Sequence, residues 1–150
     1  MADQLVDADL VSVQQDLGTT LEDCIRALAS RLADAGRLSD ADAFVADVLA
    51  REAQGSTALP GGVALPHARS AGVTTPSVAV ASLPAPISEG GHDVDLVFLL
   101  AVPSEHSDRY LGLLRQVTTA IVKPGFRADA RGAESPDALA KLVSEGFGAR

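Results

Sequence analysis

The residue best suited to chemistry in this chain is His67, within Leu65-Pro66-His67-Ala68. A neutral imidazole nitrogen is a nucleophile at about pH 7 without a separate base. The second ring nitrogen can bond a carbonyl or a carboxylate, which fixes the tautomer and aims the ring. A phosphoryl group held on such a nitrogen stays reactive and can be passed on. The protein then has only to position the group and stabilise its charge. Pro66 fixes its own φ and biases Leu65 toward extended geometry. Val63-Ala64-Leu65 therefore reads as a short strand ending at Pro66, which gives His67 a defined exit from the sheet. Gly61 and Gly62 allow a tight turn before that strand. Taken alone, a Pro-His pair reads as an ordinary surface or core histidine.

The whole chain narrows the possibilities. Its 150 residues fit one domain, 1–150, with a core over about 10–145. The apolar fraction is 47%, and with no Trp, one Tyr and four Phe the core must be aliphatic. The net charge is −8 and no Lys/Arg cluster occurs, so nucleic acid is not an expected partner. Cys24, the only cysteine, falls in an apolar-periodic stretch and reads as a buried thiol in a reducing compartment. Met1 to Asp9 has no basic residue, unlike a signal peptide. The longest apolar run, Leu96 to Val102, is too short to span a bilayer. A cytoplasmic, soluble protein without direct membrane insertion is the expectation.

Other chemistries lack their signatures. No Gly-rich phosphate loop with Lys-Ser/Thr and no Gly-x-Ser-x-Gly elbow occurs. His67, His92 and His106 lack zinc-site spacing, which leaves only a metal assembled from distant residues. No metal and no cofactor are expected.

The elements that must position His67 can be read from periodicity and punctuation. Leu10 to Gln14 alternates weakly as a first strand. Thr20 offers an N-cap with Asp23 three residues on, Leu21, Cys24, Ile25, Leu28 and Leu32 recur at helical spacing, and Gly36 suits C′. Ser39 with Asp42 starts a second helix, whose buried stripe is Phe44, Val45, Val48 and Leu49 and which fades near Gln54-Gly55. Ser77 to Leu83 reads as a strand broken by Pro84-Ala85-Pro86, and Glu89 to His92 as a loop. Val94 to Val102 predicts a central strand buried on both faces, ended by Pro103. Tyr110, Leu111, Leu114, Val117 and Ile121 predict a third helix, stopped by Pro124-Gly125. Ser135-Pro136 opens the last helix, which runs to about Glu145. The order predicts an α/β fold: a mixed β-sheet flanked by helices on both sides.

Arg51-Glu52, Gly55-Ser56-Thr57 and Gly62-Val63-Ala64-Leu65-Pro66-His67-Ala68 together resemble enzyme IIA of the phosphoenolpyruvate-dependent sugar phosphotransferase system, of the fructose–mannitol class that includes nitrogen-regulatory relatives. Val94 to Pro103 looks like that family's central strand ending in Pro. The resemblance runs from about Leu10 to Glu145. It implies that His67 accepts a phosphoryl group from the phosphohistidine of HPr and gives it to a cysteine of an enzyme IIB; Cys24, inside an amphipathic helix, is not that cysteine, so IIB and IIC, if they exist, are expected as separate polypeptides. Arg51 matches the family's arginine near the active histidine, and its fork of donors suits phosphoryl oxygens; a solvated helix-end residue is the alternative. Ser56 and Thr57 match the family's hydroxyl pair as phosphoryl donors, or simply fill a turn that needs small polar residues. Arg69 either meets the partner or is a solvated charge, and His92 reads as a surface residue.

Two departures stand out. Tyr110 occupies the place where many members carry a second histidine, and would donate its phenol to a phosphoryl oxygen or to the His67 ring. His106, four residues earlier, is the alternative for that role. Pro60 stands where Gly is more usual. The resemblance leaves three readings: a transport phosphocarrier, a regulatory phosphoprotein that binds a target according to its phosphorylation state, and a degenerate binding module.

Overall fold

The computed structural model describes residues 5–105 and 112–146. A 3-10 turn over Ala8–Leu10 leads into β1 (Val11–Ser12), so the first strand is shorter than the alternation suggests. Helix α1 is Leu21–Asp34, capped by the Thr20 side chain accepting from Asp23 N–H at 3.1 Å. Gly36 follows it at φ +79°, the left-handed geometry that a helix C-terminus favours. Helix α2 is Ala41–Gln54. Its cap is Asp40 rather than Ser39: Asp40 Oδ1 accepts from Ala43 N–H at 3.0 Å, while Ser39 N–H donates to Gly72 O. Phe44, Val45 and Val48 are buried, and Leu49 is only partly so.

The short strands β2 (Ala58–Leu59), β3 (Val63–Ala64) and β4 (His67–Ser70) precede the long hairpin of β5 (Ser77–Glu89) and β6 (His92–Pro103). Pro84 to Pro86 do not end β5 as expected. They interrupt its ladder instead: pairing jumps from Ser82↔Leu96 to Ile87↔Val94, and the two prolines, which lack an N–H, lie exposed in the irregular stretch. His92 is likewise not in a loop. Gly90 (φ +59°) and Gly91 (φ +83°) make a two-residue turn, and His92 pairs with Glu89 at the start of β6.

The sheet is mixed, in the order β1-β5-β6-β3-β2, with β4 also on β6. β6 runs antiparallel to β5 and parallel to both β3 and β4. Residues 96–101 are each at most 1% exposed, so both faces of the central strand are covered. Helices α1 and α2 pack together and against β5 and β4; α4 (Pro124–Gly132) and α5 (Pro136–Gly146) pack together and reach β6 and β1.

The C-terminal part holds two corrections. Helix α3 is Leu113–Ile121, with Val117 and Ile121 buried but Leu114 37% exposed. Pro124 does not merely stop α3. It sits in the first turn of α4, where its missing N–H costs no hydrogen bond, and Phe126 packs its ring 6.1 Å from that of Phe98. The last helix starts as the sequence predicts, with Ser135 Oγ accepting from Ala138 N–H at 3.1 Å.

Cys24 is fully buried on α1, and burial, then the nearby Asp23 and Asp16 carboxylates, push its thiol up to about 11. A pKa raised by folding gives a stability contribution that is complete below the unfolded thiol's pKa and lost as pH rises through the folded value. Native protein at about pH 8 should therefore resist thiol alkylation, with labelling only after denaturation. Melting temperature should fall as pH is raised from about 9 toward 11. Rapid labelling of the native protein would contradict this.

Candidate functional site

The Gly61-Gly62 turn, with φ of +99° and +84°, delivers the chain to β3. Arg131 of α4 holds that turn: its Nε donates to Asp95 Oδ1 at 2.8 Å, and its Nη2 donates to Gly61 O. β3 and β4 then lie end to end along one edge of β6, joined through Leu65-Pro66. Asp95 and Leu96 N–H donate to Gly62 O, and Leu100 N–H donates to Pro66 O at 3.0 Å. His67 therefore does not leave the sheet, as a strand ending at Pro66 implied. It opens β4, paired with Leu100. A parallel partner thirty-three residues away is invisible to local patterning.

Successive carbonyls of an extended chain point to opposite sides. Pro66 O faces β6, so Leu65 O faces away from it, at a junction where no strand of the ladder uses it. His67 Nδ1 lies 2.8 Å from this oxygen. A carbonyl can only accept, so Nδ1 carries the proton and Nε2 keeps its lone pair. The ring is half-buried.

His67 borders a cleft of about 570 Å³. His67 and Arg69, two apart on β4, share a face with their partners Leu100 and Val102 on β6. The facing wall is one stripe of α2, formed by Asp47, Ala50, Arg51 and Gln54 at i, i+3, i+4 and i+7. Leu114 of α3 adds an exposed apolar lip. Among the described residues, the charged groups lining this cleft are Asp47, Arg51 and Arg69, and an arginine beside a reactive imidazole suits an anionic group. Arg51 Nη1 donates to Gly55 O at 2.9 Å, which steadies the guanidinium and occupies one of its five N–H groups.

Ser56 and Thr57 do not line this cleft. Ser56 Oγ is exposed, 3.4 Å from Glu89 Oε2, and accepts from Ala58 N–H at 3.1 Å. Thr57 is buried, and its hydroxyl donates to Glu52 Oε1. Both hydroxyls are thus engaged at the α2–β2 loop, and Thr57 reaches the site through its backbone. Tyr110 and His106 lie outside the described residues. Asp47 and Gln54 carry no signal in the sequence other than the i, i+3, i+4, i+7 stripe of α2, and Glu52 stands in the Arg51-Glu52 match without a role of its own. Among the described residues, no group of three His, Cys, Asp or Glu could hold a metal ion, and no helix is long and apolar enough to cross a membrane.

The family model for the phosphoenolpyruvate-dependent sugar phosphotransferase system, EIIA 2, matches residues 4–146. The chain belongs to this family. It is 38% identical over 132 residues to the PTS system 2-O-alpha-mannosyl-D-glycerate-specific EIIABC component of Escherichia coli (strain K12), covering 85% of this chain but 20% of that relative. The EIIA chain thus spans a fifth of that protein's length. It is 36% identical over 107 residues to a nitrogen regulatory protein of Pseudomonas aeruginosa, covering 69% of this chain and 70% of the relative. The nitrogen regulatory protein IIA-Ntr of Neisseria meningitidis superposes with a TM-score of 0.80 over 93% of this chain and 96% of that one, at 22% identity, which speaks to the fold alone. EIIA family members are phosphotransfer components, and the mixed α/β sheet is their fold.

If Arg51 stabilises phosphoryl charge in this EIIA cleft, Arg51→Lys should slow transfer, because a point charge loses the two-pronged contact. The barrier should rise by roughly 2–4 kcal/mol. Rapid-quench rates in both directions check this, and unchanged rates would assign Arg51 to the loop it caps.

Proposed function

We propose that this chain is a phosphoryl carrier, receiving the group on His67 Nε2 from the phosphohistidine of HPr and donating it to a cysteine of an enzyme IIB. The observation that carries the reading is the Nδ1–H bond to Leu65 O, which leaves Nε2 as the nucleophilic nitrogen in a cleft that Arg51 also lines.

The transfer balances simply. The Nε2 lone pair attacks phosphorus, a new N–P bond forms, and the N–P bond to the donor imidazole breaks with its electron pair returning to that ring. Nδ1 keeps its proton throughout. In the second step a partner thiolate attacks phosphorus and His67 regains its lone pair. Arg51 pairs with the phosphoryl oxygens in both steps. The steps call for no metal and no nucleotide. The reading treats residues 1–150 as one EIIA unit acting in the cytoplasm. The E. coli relative, whose name joins A, B and C components, supports an onward IIB acceptor. The nitrogen regulatory relative, which this chain matches over 70% of its length, favours as a second reading a regulatory output from the same histidine. Transfer to a IIB partner separates the two.

Incubation with phosphoenolpyruvate, enzyme I and HPr should add one phosphoryl mass to the intact protein. His67→Ala should abolish this while circular dichroism and melting stay near wild type, because a half-exposed strand-start residue contributes little core burial. An acid-labile phosphate persisting in that variant, or none on wild type beside a working control EIIA, would overturn the proposal.

A further inference from the structure

Glu52 is an acid in the last turn of α2, where the negative end of the helix dipole disfavours a carboxylate. It is half-buried, and both of its oxygens are committed to one residue. Oε1 accepts from the Thr57 hydroxyl, and Oε2 accepts from Thr57 N–H at 3.2 Å. Thr57 is 8% exposed, and its carbonyl accepts from Leu65 N–H at 3.3 Å. Leu65 O in turn accepts from His67 Nδ1–H at 2.8 Å. One unbroken series of hydrogen bonds therefore runs from a helix carboxylate, through two loop residues, to the ring.

We propose that Glu52 is a positioning residue for His67: by pinning Thr57 it fixes the Leu65 backbone, and so holds the carbonyl that sets the His67 tautomer. The inference rests on the reading of His67 as the phosphoryl acceptor. Its logic is that of an outer partner that orients a reactive imidazole through an intermediary. Leu65 belongs to neither β3 nor β4, and the following Pro66 has no N–H to anchor the peptide between them. The Thr57 carbonyl supplies the hold on the upstream side of Leu65. The adjacent Arg51 secures Gly55 O, so the last turn of α2 grips the loop at both ends of the Gly55–Thr57 stretch.

Three variants test this. Glu52→Ala removes both bonds to Thr57. Glu52→Gln can keep both, its carbonyl accepting from Thr57 N–H and its amide donating to the hydroxyl oxygen, which can act either way. Thr57→Val removes the hydroxyl but keeps the backbone. In unphosphorylated protein at a pH where imidazole is neutral, the ring nitrogen-15 shifts of His67 report the tautomer without any phosphoryl donor. Glu52→Ala and Thr57→Val should each convert a single Nδ1–H tautomer into a mixture and slow phosphoryl uptake, by roughly 10-fold for Glu52→Ala. Glu52→Gln should restore both. Should Glu52→Ala fail to fold, Thr57→Val with Glu52→Gln decides. A lowered melting temperature with an unchanged His67 tautomer would overturn the inference and leave Glu52 as a loop anchor. If wild type takes up no phosphoryl group, the parent reading fails, yet the tautomer data still decide whether Glu52 orients the ring.

Discussion

A carbonyl oxygen cannot donate a hydrogen bond, so the 2.8 Å contact between Leu65 O and His67 Nδ1 decides which ring nitrogen carries the proton. The proposed chemistry of the cleft begins from that contact. With Nδ1 protonated, Nε2 keeps its lone pair, and in the proposed transfer a phosphoryl group comes and goes without any proton leaving the ring. The ring is steered by a backbone atom held between the sheet, through Pro66 O on Leu100, and the α2–β2 loop, through Leu65 N–H on Thr57 O.

The fold serves that carbonyl. Its orientation is set by the alternation of an extended chain, by the Pro66 carbonyl bonded to Leu100, and by β3 and β4 sharing one edge of β6. The central strand, buried over residues 96–101, takes two short parallel partners in series along one edge, Val63 on Leu96 and His67 on Leu100. The Gly61-Gly62 turn sets where β3 begins, and Arg131 on Asp95 and Gly61 ties that turn to α4. Against this base, α2, which packs directly against β4, presents Asp47, Arg51 and Gln54 on one stripe lining the same cleft as His67.

Much of this was legible in the residues because it is local. The Thr20 cap, the Gly36 stop, the Ser135-Pro136 start and the apolar run of β6 each depend on neighbours within a few positions. The misses share a non-local or two-sided cause. Pro124 lies just past the end of α3 and in the first turn of α4, a helix whose Phe126 packs on the distant Phe98. Pro84 and Pro86 look like a strand end but lie in a stretch that pairs with nothing across the hairpin. The start of β4 at His67 depends on a parallel partner far along the chain. Ser56 and Thr57 match the family's hydroxyl pair or fill a turn by residue type alone, and in the fold their hydroxyls meet Glu89 and Glu52. Which carboxylate a hydroxyl meets is a tertiary fact that no spacing encodes.

The central claim is that His67 acts through Nε2 while Nδ1 stays protonated and bonded to Leu65. Long-range proton–nitrogen spectra of the histidine-labelled protein, recorded before and after phosphorylation, test it directly. The account predicts that the Nε2 resonance moves on phosphorylation and shows coupling to phosphorus, while Nδ1 keeps its proton and its hydrogen-bonded shift. Phosphorus coupling at Nδ1 would contradict it, because that nitrogen could then not be the donor to the Leu65 carbonyl.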